Sequence, residues 1–189
     1  FTMRPIGFML ESGDVFSFER HWHFDYLDYA YNIFGDKYVK AGGHTFEHWF
    51  VRYESEKSRA VSFDLMTSWG GYYSGERRMF SSAFTFKVNK YLALTPDMTY
   101  YHVDLEEDSF IARRASLKIQ TNISTRLTSS TFVQWNNESG EAALNFRIHY
   151  IPKIGSDVYL AYNQLWDEED EMRNIRNTGV LKVDYLFRF

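Results

Sequence analysis

Four side chains able to bind metal or move protons stand at alternate positions of one segment: Glu19, His21, His23 and Asp25. In an extended chain alternate residues share a face, about 7 Å apart. Two imidazoles and two carboxylates on one surface could hold a divalent metal. One strand rarely supplies a whole coordination set, so a polar wall without an ion is the competing reading. The acidic run Asp167-Glu168-Glu169-Asp170-Glu171 offers Asp167, Glu169 and Glu171 as oxygen donors for Ca²⁺. It lacks the glycine spacing of a dedicated calcium loop, and a solvated external loop is the better reading. The Glu106-Glu107-Asp108 link reads the same way. Arg113, Arg114, Lys118, Arg147 and Lys182 supply cations for a polar interior, where internal ion pairing is expected and a preference for anionic solutes is the alternative. Nucleophilic catalysis needs a nucleophile with an oriented base. His102 and His149 stand isolated, with no patterned serine beside either. No catalytic residue and no cofactor are therefore expected.

The elements that carry these residues repeat every two positions, the side-chain period of a strand. Phe16, Phe18, Trp22, Phe24 and Tyr26 alternate with Ser17, Glu19, His21, His23 and Asp25. Trp49, Val51 and Tyr53 alternate with His48, Phe50, Arg52 and Glu54. Ala142, Leu144, Phe146, Ile148 and Tyr150 alternate with Ala143, Asn145, Arg147 and His149. Similar runs recur to the C-terminus, and no segment shows a helical stripe. The chain reads as all-β with about ten strands, of a length that suits tilted membrane crossing. Pro96 interrupts one run, where a bulge or distortion is expected.

Composition narrows the class. The chain has 189 residues, 19% of them aromatic, with no cysteine and a formal net charge of −4. The aromatic load excludes disorder. The lack of cysteine excludes a disulfide scaffold, zinc ribbons and thiol catalysis. No apolar run approaches the ~20 residues of a spanning helix. The mild negative charge gives no reason to expect a nucleic-acid partner.

Alternation alone fits a soluble sandwich or a membrane barrel. Long charged side chains on the polar face favour the barrel. So do aromatics near expected strand ends: Trp49, Trp69, Tyr72, Tyr73, Tyr91, Tyr100, Tyr101, Trp135, Tyr150 and Trp166. Connections also alternate, with short turns at residues 12–13, 56–58, 89–90, 124–126 and 152–156. Most of the opposite links are longer, at 30–43, 70–76, 106–109 and 167–177, with 137–140 the short exception. The tail Leu181-x-Val183-x-Tyr185-x-Phe187-x-Phe189 resembles the C-terminal signature of outer-membrane barrels, which the assembly machinery reads. That resemblance implies a periplasmic C-terminus. Counting back, Phe1–Leu10 becomes an eleventh strand, an odd number for a bacterial barrel. Either this segment does not span, or the chain, which opens without a leader, belongs to a larger even-stranded barrel. The second is the expectation, with residues 1–189 as one barrel region.

Several motifs resemble one family. These are Glu11-Ser-Gly-Asp14, Trp69-Gly-Gly-Tyr-Tyr73 with Gly75-Glu-Arg-Arg78, Phe132-Val-Gln-Trp-Asn136, Leu144-Asn-Phe-Arg147, Gly155-Ser-Asp-Val-Tyr-Leu-Ala-Tyr-Asn163 with Trp166-Asp167, and Leu181–Phe189. Together they resemble the C-terminal barrel region of an uncharacterised family of Gram-negative outer-membrane proteins. Full-length members typically carry an N-terminal module similar to family 9 carbohydrate-binding modules. The resemblance implies an outer-membrane barrel acting as anchor, channel or partner platform in a carbohydrate-handling envelope protein. Its implied partners are outer-membrane lipid and lipopolysaccharide, the barrel-assembly machinery and other envelope proteins. It carries over no catalytic residues. An outer-membrane hydrolase with a site at the external rim and a soluble ligand-binding barrel are the alternatives.

Overall fold

The computed structural model describes residues 1–106, 108–167 and 173–186. Among the described residues there are thirteen strands: β1 Thr2–Met9, β2 Val15–Leu27, β3 Tyr31–Phe34, β4 Lys37–Val39, β5 Gly42–Glu54, β6 Val61–Tyr72, β7 Gly75–Asn89, β8 Leu92–Asp104, β9 Ser109–Ser124, β10 Leu127–Asn136, β11 Glu141–Lys153, β12 Ser156–Asp167 and β13 Arg173–Asp184. Eleven form one sheet in the order β1-β2-β5-β6-β7-β8-β9-β10-β11-β12-β13, and β3 and β4 form a separate two-stranded hairpin. Among the described residues no helix is long and apolar enough to cross a membrane. The all-β reading and the strand over Phe1–Leu10 both hold.

The chain divides into two compact units, Phe1–Ala83 with Asp97–Arg114, and Phe84–Pro96 with Ala115–Phe189. In the first, β2 and β5 pair antiparallel without interruption from Val15↔Glu54 to Leu27↔Gly42. This register puts Glu19, His21, His23 and Asp25 on the face shared by Phe50, His48, Phe46 and His44. Phe16, Phe18, Trp22 and Phe24 take the other face. In the second unit β10, β11 and β12 stack Val133, Leu144 and Gln164 on one face and Phe132, Asn145 and Asn163 on the other.

Prolines account for two breaks in register. The β1–β2 pairing slips between Met3 and Ile6, around Pro5, and the β11–β12 pairing slips between Tyr150 and Lys153, around Pro152. Each lacks the N–H that a regular ladder requires. Pro96 likewise lies within a continuous strand, β8.

The expected long link at 70–76 is also corrected. Gly70 and Gly71 continue β6, Gly75 opens β7, and only Tyr73 and Ser74 turn between them. The glycines resemble loop punctuation, yet they are strand positions where a side chain has no room. A Cβ on Gly75 would stand 1.9 Å from the Asp104 carbonyl oxygen. Trp49 lies in the middle of β5 rather than near its end.

In the first unit burial is inverted relative to a water-soluble domain. Among the described residues the buried apolar ones are Val39, Val103 and Ala142. The buried polar ones are Asp14, Ser17, Glu19, His48, Ser55, Ser62, Ser68, Thr99 and Ser156. In the first unit Glu19 is 7% exposed while Phe24, on the opposite face of the same strand, is 73% exposed. In the second, Val133, Leu160, Leu181 and Val183 are exposed on the apolar face, where Ala142 is buried, and Arg147 on the polar face is exposed as well.

Candidate metal centre

The centre grows from the register of β2 and β5, which makes His21 and His48 direct cross-strand partners. His23 lies two residues further along the same face, so three imidazoles meet where two strands touch. Their rings stack: His21 on His48 at 5.1 Å and 25°, His23 on His48 at 5.0 Å and 9°. One nitrogen from each falls within 4.8 Å of the others. His48 is buried, and among the described residues its Nδ1 has no hydrogen-bond partner.

The third strand approaches through a glycine. Gly70 pairs with His48 and has a φ of 135°. A Cβ there would stand 2.8 Å from the Glu47 carbonyl oxygen and from the His48 Cα. Both the left-handed backbone and the close approach demand glycine. On the other side, Phe46 stacks on His23 at 5.2 Å, and Tyr73 packs on Phe46 at 5.1 Å.

Glu19 and Asp25 stand beside the cluster with partners of their own. Glu19 Oε2 meets His21 Nε2 at 2.9 Å, and its other oxygen accepts from Arg4 Nε at 2.8 Å. Asp25 accepts a 2.9 Å hydrogen bond from the Tyr73 hydroxyl. Burial, and then that carboxylate, push the Tyr73 hydroxyl up to about 12. Of the four strand residues singled out by spacing, the structure joins His21 and His23 to His48. Spacing along one strand cannot reveal His48, because its partnership exists only once the β2–β5 register is known.

Ion pairs and a folded-in hairpin flank the site. Toward the short turns, Arg52 bridges Asp64 at 2.6 Å and Glu54 at 2.8 Å. Beyond them Asp14 accepts from the Glu56 backbone N–H at 2.9 Å, Arg59 at 3.0 Å and Ser12 at 3.0 Å. These bonds, led by the Glu56 N–H, hold its carboxyl down to about 2. At the opposite end β3 and β4 are pinned by Lys37 to Asp108 at 2.5 Å, by Phe34 stacked on Phe110 at 4.8 Å, and by buried Val39. A recess of about 550 Å³ opens there, lined by Lys37, His44, Ser74 and Glu106 among others.

The remaining sequence candidates are dispersed. Arg114 lies 3.5 Å from the Thr99 hydroxyl, Lys118 is exposed on β9, and Arg147 lines a separate recess with His149 and Tyr159. Arg113 stands 5.9 Å from the Tyr100 ring centre. Lys182 pairs with Asp184 at 2.8 Å. Leu181 and Val183 lie in register with Leu160 and Val158, and Tyr185 follows β13 beneath the Lys153 ammonium at 3.8 Å. Asp167 ends β12 opposite Arg173. Glu169, Glu171, Phe187 and Phe189 lie outside the described residues.

Comparison with family models and with curated proteins gives no match. Among solved structures the chain is similar to the NanC porin, solved in a rhombohedral crystal form. The two share 12% identity over 98% of this chain and 99% of that one, with a TM-score of 0.45. A likeness this loose leaves the functional reading to the chain's own geometry.

Proposed function

We propose that this chain is a transmembrane β-barrel region of a bacterial outer membrane, serving as anchor, channel or partner platform. The observation that carries the reading is the inverted burial of the first unit: Ser17, Glu19, His48, Ser62 and Ser68 are buried on one face of β2, β5 and β6, while Phe24, Tyr26, Val61 and Trp69 are exposed on the other. In water each large apolar side chain left bare forgoes about 1.5–3 kcal/mol. A hydrocarbon surround removes that penalty and explains why the covered side is lined with ion pairs and hydroxyls. Strand length supports the same reading. Strands β5 to β13 run 10–16 residues, and about 9–11 tilted residues suffice to cross. In the second unit Trp135 and Trp166 flank Ala142 on the bare face, each one residue from its strand end. Tryptophan at that level suits the lipid headgroup boundary.

Arg20 and Glu47 sit on the bare face of the first unit, where a lone charge would be costly. They neutralise each other in an ion pair, and the Arg20 guanidinium lies 4.4 Å from the Trp49 ring centre, within cation–π range. The family resemblance adds a role for such a barrel, the anchoring of a carbohydrate-binding module. Detergent extraction followed by gel migration with and without boiling tests the membrane reading. Heat-modifiable migration of a detergent-requiring protein is expected. A monomer that stays soluble without detergent overturns it.

A further inference from the structure

We propose that His21, His23 and His48 together bind one divalent ion of the zinc, nickel and copper class. The inference concerns one face of two paired strands and does not depend on the membrane reading. Neutral imidazole suits these borderline ions, whereas magnesium and calcium require oxygen ligands. The three nitrogens already lie within 4.8 Å of one another. Around a tetrahedral zinc ion with bonds of roughly 2.0–2.1 Å they would stand about 3.4 Å apart. The rings are stacked rather than convergent, so closing that gap means turning them about χ2. That torsion is broad and soft in histidine.

Two further observations point to a ligand. His48 Nδ1 is buried and unpartnered among the described residues, an arrangement that native proteins avoid unless something fills it. On His21 the Nε2 faces Glu19, leaving Nδ1 for the ion. A carboxylate on the far nitrogen of a ligating histidine fixes tautomer and ring orientation and raises its basicity. Glu19 is itself held by Arg4. This makes Glu19 a positioning residue rather than a ligand. Asp25 is occupied by Tyr73. The ion would thus have three protein ligands and an open position on the side of the exposed His23, which water can fill.

The test uses the whole chain, folded and free of any polyhistidine tag. Zn²⁺ is titrated by calorimetry and Co²⁺ by visible absorption. One ion per chain is expected, with the intense visible bands of four-coordinate cobalt. His23→Gln and His48→Gln should each weaken binding by about 100-fold or more, and Glu19→Gln by about 10–100-fold. A triple variant, His44→Gln with His102→Gln and His149→Gln, should bind as the parent does. Circular dichroism checks that each variant folds. His23, being exposed, keeps the test decisive even where His48→Gln misfolds. Absence of saturable one-to-one binding by the folded parent overturns the proposal, as does parental affinity in His23→Gln.

Discussion

At the scale of single residues, Asp14 ties the first short turn to the neighbouring one through Glu56 and Arg59. Its folded pKa is about 2, below the ordinary value of 3.8. Linkage then gives the sign: its contribution to stability is complete above the unfolded value and drains away as pH falls from about 4 toward 2. Unfolding midpoints measured over that window should drop more steeply for the parent than for Asp14→Asn, which keeps an acceptor but cannot titrate. Equal slopes would remove Asp14 from the turn network. The histidines show what a residue list can and cannot reveal. His21 and His23 were legible as a pair because period two puts them on one face. His48 was hidden, since thirteen paired positions of β2 and β5 must be aligned before it meets them. Gly70 was misread for a related reason: glycine signals a turn, and only the neighbouring His48 backbone shows that the missing Cβ is the point.

At the scale of elements, alternation makes most of the sheet legible in the sequence itself. The faces of β2, β5, β10, β11 and β12 follow from which positions are apolar. The hairpin of β3 and β4 was not legible inside the expected link, because strands of 4 and 3 residues are too short for a periodic signal. Its order comes from contacts distant in sequence, chiefly Phe34 on Phe110 and Lys37 on Asp108. The Asp108 carboxylate raises the Lys37 pKa, and Lys37 lowers that of Asp108. The pair is therefore intact at neutral pH and is lost as acid protonates Asp108 below the usual carboxylate range. Lys37→Ala combined with Phe34→Ala should release the hairpin while leaving the sheet. Limited proteolysis should then cut within residues 28–41 at least several times faster than in the parent. An unchanged cleavage rate would mean that Val39 alone anchors it.

For the whole molecule, the two faces make opposite demands on a new charge. Leu160 is exposed on the bare face, in register with Ile148 and Leu181. In a water-soluble protein an arginine there would be close to neutral. In a bilayer it should cost about 2–4 kcal/mol near the midplane. Leu160→Arg should accordingly reduce the folded fraction recovered in lipid vesicles, read by heat-modifiable migration, while Ala161→Arg on the opposite face should reduce it less. Equal recovery of both would argue against lipid at that face. The scarcity of enclosed hydrocarbon has a thermal consequence as well. Heat capacity rises on unfolding mainly because apolar groups become hydrated. Among the described residues only Val39, Val103 and Ala142 are fully enclosed apolar side chains, and on the membrane reading lipid stays in contact with the bare face, so that increment should be smaller than in a water-soluble domain of this length. The stability curve is then shallow, and the ladder of backbone bonds loses its grip only gradually, in warmth and in cold alike.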